Sequence, residues 1–232
     1  MSDSFKPPIV PRGRARTELG SIGILGITAL AAFVFIRLAS EVGEGETRVF
    51  DTGIMLALRQ PGDLARPIGP AWLNLAMLDF TALGGTAVLT LLALAAIGFL
   101  LAKRDWWQAG FLGVAIGGGA LLNTALKIGY ARPRPELVAH LVNVTSLSFP
   151  SGHAMNSAVT YLTLGVLLER AVPERRVKLY LMAVSIGLTL LVGVSRVYLG
   201  VHWPTDVLAG WTVGAGWAAL CWFVAERLRQ GS

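Results

Sequence analysis

The chain has 232 residues, of which 54% are hydrophobic and only 15% charged, with a mean hydropathy of +0.60. Soluble chains carry about 25% charged residues, and a core of this size cannot hide so much apolar surface, so an ordinary soluble domain is excluded and a bilayer becomes the natural solvent. The net charge of +6 is modest, and its basic residues cluster between apolar runs, which makes them topology signals rather than a nucleic-acid footprint.

Residues 1–18 are polar, with three prolines and Lys6, Arg12, Arg14 and Arg16, and read as a disordered cytoplasmic tail. An apolar run from Ser21 to Ile36 follows. A secretory signal peptide is the rival reading, with Leu38-Ala39-Ser40 as a weak cleavage site, but the run is better suited to a retained first span. Residues 41–78 mix charge with short apolar pieces. Ile54–Leu58 is too short to cross about 30 Å of hydrocarbon and reads as an amphipathic helix lying along the extracytoplasmic interface, as does Trp72–Leu78. Thr81–Ala102, Gln108–Leu126, Ala154–Leu168, Leu179–Val194 and Val207–Val224 are five further runs. The expected fold class is therefore all-α: a polytopic membrane protein whose residues 19–228 form one six-span domain. Gly113 and Gly117, and Gly210 and Gly214, are spaced to pack helices within or between subunits. The single cysteine, Cys221, excludes an intrachain disulfide and reads as a small core residue. Oligomeric state is left open by the sequence.

With the N-terminus in the cytoplasm, Lys103/Arg104, the cluster Arg170, Arg175, Arg176 and Lys178, and Arg227/Arg229 fall on the same side. That side then holds twelve of the twenty Lys and Arg residues, as the positive-inside rule demands, and both termini are cytoplasmic. Three polar clusters then share the extracytoplasmic face. The first, Lys127 to Pro135, reads K-x6-R-P and ends on Arg134; Arg132 is superfluous to that spacing. The second is Pro150-Ser151-Gly152-His153, a helix start with Ser151 suited to the N-cap. Its free N–H groups and helix dipole favour an anion, and Gly152 lets backbone approach a phosphate oxygen. The third is Ser195-Arg196-x5-His202-x3-Asp206, with Pro204 placed for the first turn of the last helix. The four-residue spacing lets Asp206 reach one imidazole nitrogen of His202 and leaves the other free to attack. Taken singly, Lys127, Arg134 and Arg196 read as snorkelling anchors, and His140 reads as loop surface.

Taken together and in this order, K-x6-R-P, P-S-G-H and S-R-x5-H-x3-D resemble the signature of the type 2 phosphatidic acid phosphatase (PAP2) and vanadium haloperoxidase superfamily, in its bacterial membrane lipid phosphatase branch. All three motifs match without a substituted position. The resemblance implies that Lys127, Arg134 and Arg196 clamp phosphate oxygens with help from Ser151 and the Gly152 N–H. It implies that His202 attacks phosphorus to form a phosphohistidine, that Asp206 orients it, and that His153 protonates the leaving oxygen and then activates water. No metal and no cofactor are required.

The resulting expectation is a multi-pass protein of the bacterial inner membrane that hydrolyses a lipid phosphate or pyrophosphate at the extracytoplasmic face. Undecaprenyl pyrophosphate, phosphatidylglycerophosphate, phosphatidate and the phosphates of lipid A are all candidate substrates. A lipid phosphotransferase would use the same site. A vanadium haloperoxidase fits the pocket but not the bilayer-spanning build, and a non-catalytic lipid-binding protein has no need of His153, His202 and Asp206.

Overall fold

A computed structural model describes residues 12–231. Among them are eight helices and one short hairpin: α1 (Arg12–Glu44), α2 (Arg48–Ala57), β1 (Arg59–Gln60), β2 (Asp63–Pro67), α3 (Ala71–Leu83), α4 (Thr86–Ala102), α5 (Trp106–Tyr130), α6 (Gly152–Ala171), α7 (Arg175–Tyr198) and α8 (Pro204–Gly231). Residues 1–11 of the expected disordered tail lie outside the described residues, and the stretch from Arg12 belongs to α1 rather than to a tail.

Among the described residues four helices are long and apolar enough to cross a membrane: α1 from Ile22, α5, α7 and α8. The expected span Thr81–Ala102 is not one helix: it runs from the end of α3 into α4. The chain bends by 47° between α3 and α4, and only the two together, residues 71–102, are long and apolar enough to count as a further candidate span. Trp72–Leu78 lies in α3, the part of that pair that precedes the bend. Gly84-Gly85 makes the break possible: a Cβ on Gly84 would collide with the Val192 side chain, and one on Gly85 would lie 3.0 Å from the Ala82 carbonyl. The expected run Ala154–Leu168, in α6, is less apolar, with Ser157, Thr160 and Thr163 buried along it. Helix α6 packs against α5, α7 and α8, so protein rather than lipid surrounds most of it.

Tryptophans of α8 lie over glycines of its neighbours. Trp217 sits on Gly118, 2.6 Å from where a Cβ would be, and donates its indole N–H to the Ala115 carbonyl at 2.8 Å. Trp211 sits on Gly193 in the same way and donates to the Thr189 carbonyl at 3.0 Å. Each pair combines close backbone approach with a satisfied indole N–H, as apolar surroundings require. Gly210 and Gly214 face α6: a Cβ on either would lie 2.7 Å and 2.6 Å from the Ser151 and Met155 carbonyls. That seam is thus within the chain. Gly117 meets nothing within 4 Å and Gly113 only Ile97 at 4.0 Å, so on α5 the packing glycines are Gly118 and Gly119 instead. Cys221 is half-buried in α8.

Residues 41–70 depart from the expected all-α interfacial segment. Beyond α2, β1 and β2 pair antiparallel around Pro61-Gly62, where Gly62 takes the positive φ of 85° that the second turn position needs. The segment is anchored inward. Asp51, Met55 and Arg59 are buried, and Arg59 donates to the Leu58 and Tyr198 carbonyls at 3.1 and 3.0 Å. At the opposite end of the bundle Arg170 pairs with Glu226 and lies 3.9 Å from the centre of the Trp222 ring.

Candidate active site

The three polar clusters meet at one end of the bundle. Helix α5 is capped by Asp105, whose carboxylate accepts the Gln108 N–H at 3.1 Å and the Gln108 side-chain amide at 2.6 Å. Its last turns carry Asn123 and Lys127 to the other end. Lys127 donates to the Leu147 carbonyl at 2.5 Å. In the following loop, Arg134 donates to the Ser146 and Val201 carbonyls at 2.7 and 2.5 Å and lies 3.2 Å from His202 Nε2.

The loop then enters α6. The Ser151 N–H donates to the Asp206 carbonyl at 2.9 Å, tying the second cluster to the third. Ser151 occupies the N-cap position, but its hydroxyl makes no capping bond; it is buried without a partner. Gly152 leaves room between helices: a Cβ there would meet Asn123 Oδ1 at 3.0 Å and Lys127 at 3.5 Å. His153 follows, ahead of the apolar stretch of α6, with its Cδ2 3.4 Å from the position of a Cβ on Gly84. Arg196, buried in the last turn of α7, donates to Thr81 Oγ1 at 2.7 Å and leaves its Nε unpartnered.

Helix α8 begins at Pro204, as the spacing predicts, and Asp206 closes its first turn by accepting the Trp203 N–H at 3.0 Å. His202 and Asp206 are both buried. Asp206 Oδ2 lies 3.4 Å from His202 Nδ1, long for a direct hydrogen bond. Ser148, which the motifs do not include, donates to that same Oδ2 and stands 3.3 Å from Nδ1. Asp206 Oδ1 accepts from Arg132 at 2.6 Å, so Arg132 serves the carboxylate rather than lining the cationic pocket. His140 is surface, as expected, with Nε2 2.6 Å from the Pro135 carbonyl.

Burial pushes the His202 imidazole down to about 3, against the pull of Asp206. His153 is pushed down to about 3 by burial and then by Arg196, His202, Arg134 and Lys127. Burial also lowers Arg134 from its ordinary value. A cluster of fixed cations, two neutral imidazoles and unpartnered donors is suited to a compact oxyanion. Among the described residues no three His, Cys, Asp or Glu side chains are grouped to hold a metal.

The sequence profile described as the PAP2 superfamily matches residues 108–230, which covers all three clusters. The chain belongs to the PAP2 superfamily. Within it, this PAP2 chain is 35% identical over 186 residues to phosphatidylglycerophosphatase B of Bacillus subtilis, covering 78% of the chain and 85% of that protein. It is 38% identical over 71 residues to an undecaprenyl-diphosphatase of Sulfolobus acidocaldarius, covering 31% of the chain and 30% of that protein. The crystal structure of a transmembrane PAP2-type phosphatidylglycerolphosphate phosphatase from Bacillus subtilis superposes with a TM-score of 0.79 at 31% identity, over 87% of this chain and 96% of that one. The PAP2 fold thus extends well beyond the profile match, toward the N-terminal half of the chain. The protein is a multi-pass membrane phosphatase of the PAP2 type.

Proposed function

We propose that this PAP2 chain hydrolyses a membrane lipid phosphate through a phosphohistidine on His202. Phosphatidylglycerophosphate is the leading substrate, supported by the similarity to the Bacillus subtilis enzyme over most of both chains. The observation that carries the mechanism is the placement of His202, with Nδ1 against Ser148 and Asp206 and Nε2 against Arg134.

Nε2 attacks phosphorus in line while the bond to the leaving alkoxide breaks. Lys127, Arg134 and Arg196 hold the phosphoryl oxygens, joined by the Ser151 hydroxyl and the Gly152 N–H. His153 relays to the leaving oxygen the proton that the phosphate monoanion brings, then takes one from the water that attacks the phosphohistidine and returns it to the departing phosphate, which leaves with His202 restored. Charge on Asp206 offsets the positive charge that His202 gains in the intermediate. In this reading the chain crosses the inner membrane six times, with the α3–α4 pair and α6 each counted as one, and the basic residues Lys103, Arg104, Arg170, Arg175, Arg176, Lys178 and Arg227 support cytoplasmic termini and an extracytoplasmic site.

Phosphate release in detergent with a chelator present tests this, across phosphatidylglycerophosphate, phosphatidate, undecaprenyl pyrophosphate and lipid A, for wild type and His202→Ala. Release that is fastest on phosphatidylglycerophosphate and lost in the variant is the expected result. Fastest release from undecaprenyl pyrophosphate would change the substrate and keep the mechanism, in line with the undecaprenyl-diphosphatase similarity. Transfer of the phosphoryl group to an added lipid alcohol, with no free phosphate, would make the enzyme a phosphotransferase.

A further inference from the structure

Asp51 belongs to none of the three clusters and lies in α2, outside the stretch matched by the family profile. It is wholly buried. A buried carboxylate is costly unless its oxygens are well supplied with donors, and this one has four. Oδ1 accepts the Thr205 N–H at 2.9 Å. Oδ2 accepts the Thr205 hydroxyl at 2.7 Å, Arg132 Nη2 at 2.7 Å and the Thr47 hydroxyl at 3.3 Å. Asp51 therefore caps the start of α8 from a different helix and anchors one half of the Arg132 guanidinium.

The other half of that guanidinium leads to the site. Arg132 Nη1 donates to Asp206 Oδ1 at 2.6 Å and to Thr205 Oγ1 at 2.8 Å. Asp206 Oδ2 is left for Ser148, Trp203 N–H and His202. Which oxygen faces the imidazole is thus set by which oxygen Arg132 holds. The 3.4 Å approach to His202 is the longest of these contacts, so a small turn of the carboxylate loses it first. We infer that Asp51 is a positioning residue of the phosphatase site: through Arg132 and the first turn of α8 it holds Asp206 in the orientation that presents His202 to substrate. This rests on His202 being the nucleophile.

Misplacement by about 1 Å of a group remote from the chemistry costs on the order of 100-fold in rate. Asp51→Asn keeps the size of the side chain and removes the charge that Arg132 needs. Its kcat is expected to fall about 10- to 100-fold with KM within about threefold, because the phosphate clamps are untouched. Arg132→Gln is expected to lose a similar factor, and the double variant no more than the worse single one, since both act through Asp206. A staple that only holds α2 to the bundle would instead lower melting temperature and multiply the losses. A readout independent of turnover is the 15N spectrum of the histidine rings in detergent, with His202 identified by its loss in His202→Ala. Wild type is expected with the proton on Nδ1, and Asp51→Asn with a mixture of the two tautomers. If Asp51→Asn is not recovered folded, Arg132→Lys, which breaks only the bridge between the carboxylates, reads the same two effects.

Wild-type kcat in Asp51→Asn, multiplicative losses in the double variant, or an unchanged tautomer would each overturn the inference. A wild type that shifts tautomer on substitution but releases no phosphate from any lipid would overturn the phosphatase reading and leave the positioning in place.

Discussion

Arg134 Nη1 lies 3.2 Å from His202 Nε2. A guanidinium has only donors, so the nitrogen facing it carries the lone pair, and the proton of the neutral ring sits on Nδ1, toward Ser148 and Asp206. The contact leaves Nε2 as the attacking nitrogen as long as Ser148 and Asp206 hold the proton on Nδ1. It also places a cation beside the oxygens of the phosphoryl group that Nε2 receives.

Arg134→Lys keeps the charge and loses the fork that holds the Ser146 and Val201 carbonyls while facing His202. Arg and Lys are not interchangeable at such a site. Removal of one well-placed transition-state donor costs on the order of 100-fold in kcat, and that loss is expected here with little change in melting temperature. Steady-state kinetics beside a thermal-shift assay would check it; a loss confined to KM would count against a transition-state role.

His153 is assigned to the leaving oxygen, and general acids contribute about 100- to 10,000-fold. His153→Ala should lose that factor on a lipid phosphate, whose alkoxide needs a proton. On an aryl phosphate with a nitrophenol leaving group the loss should be far smaller. Equal losses on both substrates would remove His153 from that role.

The pH dependence follows from the two histidines. Both are pushed down to about 3, so His202 stays unprotonated and nucleophilic over the whole range above pH 4. His153 is neutral there too, so the proton for the leaving oxygen has to arrive on the phosphate monoanion, whose next ionisation is near 6. The profile of kcat/KM is expected to be level from pH 4 to about 6 and to fall tenfold per unit above that. An acid limb near pH 6.5, the ordinary histidine value, would mean that the site does not hold its imidazoles neutral.

Gly214→Ala tests the helix seam. Its Cβ would lie 2.6 Å from the Met155 carbonyl and 2.7 Å from Ala158, with backbone on one side and no flexible side chain to give way. Overpacking of this kind costs about 1–3 kcal/mol. A lower melting temperature with kcat per folded molecule unchanged is the expected pattern, while Gly117→Ala, which meets nothing within 4 Å, should be neutral. The pair read by thermal unfolding in detergent would show whether α8 needs that glycine.

Much of the site could be read from the chain because its signals are local. Lys127 and Arg134 flank one helix end, Ser151 to His153 open the next helix, and four residues separate His202 from Asp206; each spacing is a statement about one turn of backbone. Hydropathy likewise marked α1, α5, α7 and α8, since an apolar helix facing lipid has to announce itself residue by residue. Local signals did not reach the rest. Ser148 sits in a loop with no periodicity, and the bend at Gly84-Gly85 depends on Val192 and Ala82 for its meaning. Arg132 looked redundant because Arg134 already completes the K-x6-R-P spacing. Only the folded chain sends one to the carboxylate of Asp206 and the other to the imidazole of His202. Asp51 carried no signal in an amphipathic stretch that hydropathy alone assigned to the membrane surface. The sequence by itself determined which charged groups lie at the helix ends, because covalent spacing and helix geometry suffice for that. Which of those groups face phosphate and which brace another side chain was decided by tertiary structure, because buried charges are satisfied by partners far away in the chain.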